Sequence, residues 1–345
     1  MDVRLSAEQR ALRDAAAVMV DRLRAGSVRD LDDRERARKL DAAIAGSGWR
    51  ELRASSEEGG PWSSAVEVAL VAEELGRGAA DSSFIGPTLA AELRRLAGAP
   101  AAASPETLAF RADLAVPAVA GQESVAVAVD AAQSSSALVL VPEADGYALA
   151  ELPLGSGEDA AVDLTRVFVA IDLPPDVRRL DGQERLITAD DLTRWTALGL
   201  ATTCADLVGV MRGAIRLACD YAGTRKQFGV AVGSFQAVQH VLADAFVAME
   251  GSSSLALHAA WAVDALPASD ALAAASVAKA YCARSARTVC ETVIQVHGGI
   301  GNTWECFAHV YLRRALASSD LLGGVGSSLA RVLEHHQIGG GRGLR

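Results

Sequence analysis

The chain has 345 residues, 50% hydrophobic and 5% aromatic, with a net charge of −10 and a pI near 5.2. That length buries the cores of two or three domains, and the acidic balance excludes a broad nucleic-acid surface or a basic membrane-binding face while leaving room for a local basic pocket. Five cysteines, an odd number with no CxxC pair, indicate neither a disulfide framework nor a zinc site.

The N-terminal "MDVRLSAEQRALRDA" carries acids and no apolar signal core. No apolar run reaches the length of a membrane span. The expectation is a cytoplasmic protein. Ser6 with Gln9 forms a capping-box start, and Leu12, Ala15, Ala16, Met19 and Val20 follow at helical spacing. "RASSEEGGPWSS" (53–64) reads as a loop. Val66, Leu70, Val71 and Leu75 then mark a second helix, and a short one covers Leu89 to Leu96.

The pattern changes to period two in "ESVAVAVDAAQSSSALVLVPEADGYALAELPL" (123–154) and "RVFVAIDL" (166–173). From Thr188, with Asp190 and Asp191 in the first turn, helical spacing returns and runs to Tyr221. Two further helices, from about Ser234 to Ala265 and from about Ser269 to Val296, make an antiparallel bundle. The tail "GGGRGLR" is expected to be mobile. The expected fold is α+β, mainly α: a helical domain over 1–105, a small β domain over 106–182 and a long-helix, four-helix bundle over 183–345. No GxGxxG follows a strand, so a Rossmann site is not supported.

Three segments carry candidate chemistry. In "YAGTRKQFG" (221–229), Arg225 and Lys226 suit a helix C-terminus, but Arg225 also suits a phosphate, with Phe228 as an apolar face beside it. Gln236 in "FQAVQH" opens a helix, where it either caps or reaches a phosphate. In "QVHGGIG", Gly298 and Gly299 either end the helix or let backbone lie against a ligand, with Gln295 and His297 as polar neighbours.

In this order and spacing, "RKQFG", "SFQAVQHVLAD" and "QVHGGIG" resemble the C-terminal domain of the acyl-CoA dehydrogenase family. "SGWRELRASSEEGG" and "EVALVAEELGRG" resemble its N-terminal helical domain, so the likeness covers nearly the whole chain and is weakest over 106–182. The resemblance implies FAD as cofactor, an acyl-CoA substrate oxidised to the 2,3-enoyl-CoA, and electron-transfer flavoprotein or another acceptor. It implies FAD contacts at Arg225, Gln227, Phe228, Gln236, Gln295, Gly298 and Gly299, largely across a subunit interface.

The resemblance also implies a glutamate base, and neither of the family's two positions holds one. The residues there are Leu322 and Thr193, and a threonine hydroxyl is far too weak a base. Asp320 is the best displaced candidate, with Asp191 and Glu184 behind it. The family's "T-E-P-x-x-G-S" stretch has no counterpart, and no tryptophan lies between Trp62 and Trp195. The expectation is a base-lacking subunit that clamps FAD for a homologous partner carrying the catalytic glutamate. Such α2β2 heterotetramers in actinobacteria include enzymes of steroid side-chain catabolism. The alternatives are a self-sufficient homo-oligomer using Asp320 and a scaffold that kept only the fold.

Overall fold

The computed structural model describes residues 4–155 and 162–338. The tail expected to be mobile, 339–345, lies outside the described residues, as does 156–161 within the expected β domain. Four helices come first: α1 (Ala7–Leu23), α2 (Arg34–Gly46), α3 (Ala65–Arg77) and α4 (Ile85–Ala97). The Ser6–Gln9 capping box starts α1 as its spacing predicts. The loop before α3 is held by two arginines of "WRELR". Arg50 donates to the Ser83 carbonyl and pairs with Asp41, and buried Arg53 pairs with Glu92 and Asp264.

The sheet contains β1 (Glu106–Arg111), β2 (Val125–Val129), β3 (Ser136–Glu143), β4 (Gly146–Pro153) and β5 (Val169–Asp172), in the order β4-β3-β1-β2-β5. β1 and β3 run parallel and the other pairs antiparallel. Alternation divides the faces. Leu108, Phe110, Leu138 and Leu140 join the helical core, while Ala109, Ala126, Ala128 and Val139 form a separate small-residue core. Phe110 lies 6.2 Å from Trp195, whose indole N–H donates to the Leu89 carbonyl. That contact seats the sheet on the bundle.

Three long helices follow, α5 (Ala189–Thr224), α6 (Gln236–Ala265) and α7 (Ala268–His297), and then the shorter α8 (Ala308–Asp320) and α9 (Val325–His335). The fourth layer of the bundle is thus two short helices packed against α7. α5 starts at the Thr188–Asp191 capping box. It is apolar and long enough by composition to cross a membrane, but that face is buried within the protein. A hairpin, β6 (Lys226–Gln227) and β7 (Val230–Ala231), links α5 to α6.

An ionic centre locks the layers. Asp206 of α5 forms an ion pair with Arg166 at 2.9 Å and accepts hydrogen bonds from Arg314 and the Ser318 hydroxyl, each at 2.7 Å. Burial opposes ionisation of Asp206, yet the two guanidiniums hold its pKa down to about 2. Asp130, at the end of β2, accepts the backbone N–H groups of Phe84, Ile85 and Gly86. It caps α4, which has no capping side chain of its own.

Candidate functional site

α5 and α7 end side by side. Tyr221 stacks on His297 with ring centroids 4.5 Å apart, and its hydroxyl points at the His297 carbonyl at 3.4 Å. His297 is buried and its Nδ1 bonds the Val293 carbonyl at 2.7 Å. It is a structural histidine of the helix end, with no ring nitrogen role toward a ligand required.

This junction gathers the expected FAD contacts at one end of the bundle. Arg225 is the C-cap of α5, and its carbonyl accepts from Val232 at 2.8 Å. Its guanidinium is exposed and has no ion-pair partner among the described residues. Phe228 and Gly229 form the two-residue tip of the hairpin with φ of 53° and 82°, the paired left-handed geometry of a tight hairpin turn. A bulky residue rarely adopts that conformation, and Phe228 is 93% exposed there. Its ring meets Phe235 edge-on at 6.2 Å, directly before Gln236 at the start of α6. Gln227 donates only to its neighbour's carbonyl, and Gln236 and Gln295 are exposed.

Gly298 ends α7 with φ 65° and ψ −143°, a conformation for glycine alone. A Cβ added at Gly298 or Gly299 would meet nothing within 4 Å. Steric demands within this chain therefore explain Gly298 through its φ and do not explain Gly299. An exposed Arg225, unpaired among the described residues and beside Lys226, an exposed strained aromatic and two open glycines at one helix junction fit an anionic, flat-ringed group lying outside the chain surface.

The base positions lie toward the other end of α5. Thr193 and Arg225 are separated along the helix by about 48 Å at 1.5 Å per residue, further than one dinucleotide extends. Thr193 hydrogen-bonds its own helix at Ala189 and lines a cavity of about 380 Å³. Leu322 is fully buried with φ 64°. Its N–H donates to the Leu114 carbonyl at 2.7 Å, and a Cβ at Gly199 would overlap its side chain. Leu322 thus fills space over α5 where the family resemblance puts a carboxylate. Lys279 fixes this turn from beneath, donating to Thr203 and to the Ser318 and Leu321 carbonyls. Burial pushes its pKa down to about 8.

The displaced acids have other settings. Asp320 is exposed at the end of α8 and does not line the cavity. Asp191 accepts from Thr188 and pairs with Arg185. Glu184 is exposed, its backbone N–H bonded to Ala97. Leu114, Gly199, Lys279 and Tyr221 carry no local motif, since each acts on a residue far away in sequence.

Family models for the acyl-CoA dehydrogenase N-terminal and C-terminal domains match residues 6–98 and 197–328. Among curated relatives, acyl-CoA dehydrogenase IpdE2 of Mycobacterium tuberculosis is 31% identical over 279 residues, covering 77% of this chain and 76% of that protein. Acyl-CoA dehydrogenase FadE34 of the same organism is 39% identical over 142 residues, covering 41% of this chain and 20% of that much longer protein. Among solved structures, the ChsE4-ChsE5 complex from M. tuberculosis aligns over 98% of this chain and 99% of its own, with TM-score 0.74 and 22% identity. PigA with FAD and proline aligns over 98% and 100%, with TM-score 0.77 and 17% identity. With both flanking domains matched and a relative aligned over three quarters of its length, the chain belongs to the acyl-CoA dehydrogenase family.

Proposed function

We propose that this chain is the FAD-clamping, base-lacking subunit of a hetero-oligomeric acyl-CoA dehydrogenase. The reaction is α,β-dehydrogenation of an acyl-CoA thioester. One observation carries the reading. One base position holds buried Leu322, packed over Gly199, and the other Thr193, while the cofactor-gripping residues stand open about 39 to 48 Å further along α5. A grip so far from its own reaction pocket serves the flavin of a neighbour.

Arg225 pairs with the pyrophosphate of FAD as a charge-assisted donor. Gln236 and Gln295 supply amide contacts, and the bare backbone at Gly298 and Gly299 lets the adenosine end lie close. Gln227 and Phe228, on the hairpin tip, border the same group. When bound, FAD supplies the acceptor for the hydride leaving the β-carbon. The α-proton goes to a glutamate of the homologous partner. That partner also covers the apolar side chains left exposed at this end, among them Phe228, Val230, Phe235 and Phe246. An electron-transfer flavoprotein is the acceptor class we assign. The substrate class is a bulky, steroid-type acyl-CoA, because structural neighbours include the ChsE4-ChsE5 complex and the Tcur3481-Tcur3483 steroid ACAD.

The test is purification of the chain alone and co-expressed with a homologous subunit that carries the glutamate. The reading expects no acyl-CoA oxidation from the chain alone and turnover from the complex. Turnover by the isolated chain, lost in Asp320→Asn, would establish the self-sufficient alternative instead.

A further inference from the structure

The cavity beside Thr193 has a chemistry that the cofactor grip does not use. It lies between the 115–122 segment, the start of β4 and the middle of β3, the first turns of α5 and α7, and the middle of α9, and its volume is about 380 Å³. Val116, Val119, Leu140, Leu192 and Leu272 make it largely apolar. The hydroxyls of Thr193 and Thr196 donate back to their own helix, at 2.8 and 2.7 Å. No carboxylate lines it, and its one cation is Arg331 of α9.

Arg331 is half-buried, and both terminal nitrogens donate to the Leu322 carbonyl at 3.1 Å. It has no ion-pair partner among the described residues. Burial alone draws its pKa below the usual arginine value, with no acid opposing it. The fully buried arginines differ. Arg53, Arg94, Arg166 and Arg314 each hold a carboxylate. A half-buried cation without a counter-ion is only partly solvated, and its remaining N–H groups match the fork geometry of a carboxylate.

We propose that this cavity binds an apolar monocarboxylate, its carboxyl group on Arg331 and its hydrocarbon body against Val116, Val119, Leu192 and Leu272. One guanidinium neutralises one carboxylate. A phosphate dianion would bring an uncompensated charge into an apolar space. The volume sits near the lower end of small-molecule pockets, roughly 300–1,000 Å³, which suits a medium-length chain. The cavity is the one that Thr193, at a base position of the family, also lines, so the inference rests on the base-lacking reading, while its test involves neither flavin nor turnover.

The experiment is calorimetric titration of the full-length chain with octanoate, octyl phosphate and 1-octanol. Saturable octanoate binding is expected, with octanol weaker by about tenfold or more, the worth of one charge-assisted pair, and octyl phosphate weaker because its second charge has no partner. Arg331→Met should weaken octanoate by a similar factor. Val116→Trp, at a partly exposed position on the cavity wall, should abolish binding by filling the space. Equal affinity for octanol, unchanged binding in Arg331→Met, or absence of saturable octanoate binding would overturn the proposal. If Arg331→Met does not fold, the octanol comparison and Val116→Trp decide it.

Discussion

The two ends of α5 obey opposite rules. Around Leu322 every group is spent: the side chain is buried over Gly199, the N–H is on Leu114, the carbonyl is on Arg331, and Lys279 holds the turn beneath. Around Arg225 little is spent. The cation is exposed, Phe228 points outward in a left-handed conformation, and Gly298 and Gly299 face open space. Satisfied, close-packed groups stabilise a chain by itself. Unsatisfied, exposed ones cost little in water and become useful when something binds. The contrast assigns stability to one end and recognition to the other.

Substitutions at the two ends should therefore move different observables. Leu322→Ala opens a buried cavity and should lower unfolding stability by about 2–5 kcal/mol, read by thermal or urea denaturation, with the flavin content of the complex retained. Loss of flavin in that variant would erase the distinction between the ends. Arg225→Ala should do the reverse. Stability stays within about 0.5 kcal/mol, while FAD retention in the complex falls by the roughly 1.5–3 kcal/mol of a charged hydrogen bond, measured by flavin release on dilution.

Acid should act on the packed layers rather than on the grip. Folding lowers the Asp206 pKa from the ordinary carboxylate value of 3.8 to about 2. Its stabilisation is thus complete above pH 4 and is lost as pH falls from about 4 towards 2. The contribution is roughly 2 kcal/mol. A stability profile flat across that window in the wild type, or unchanged in slope by Asp206→Asn, would remove Asp206 from the account. The smallest effect belongs to Gly299→Ala. With nothing within 4 Å of the added methyl, stability should shift by less than about 0.5 kcal/mol, whereas FAD retention should drop because the methyl meets the ligand. Equal loss of both would mean that Gly299 serves this chain's own fold.

Much of the fold was legible because its signals are local. The Ser6–Gln9 and Thr188–Asp191 capping boxes, the spacing of the long helices and the glycine turn after His297 each sit within a few residues. α2 escaped because "RERARKLDAAIAG" is highly charged and buries only Leu40 and Ile44. The left-handed Phe228 in its hairpin was hidden in a segment whose charges also suit a helix end. The Asp130 cap of α4 joins residues more than forty apart, and no spacing rule reaches that far. The candidate grip was legible as motifs. The filling of the base position was legible only as an absence of glutamate, because the partners of Leu322 come from β-domain, α5 and α9 residues distant in sequence.

The division of labour has a direct numerical consequence in flavin stoichiometry. We would purify the complex of this chain with its glutamate-bearing homologue and measure FAD against protein by absorbance after denaturation. A chain whose base positions hold Leu322 and Thr193 and whose grip serves its neighbour predicts one FAD for each pair of chains, falling towards none in Arg225→Ala. Two FAD per pair, one in each chain, would contradict it.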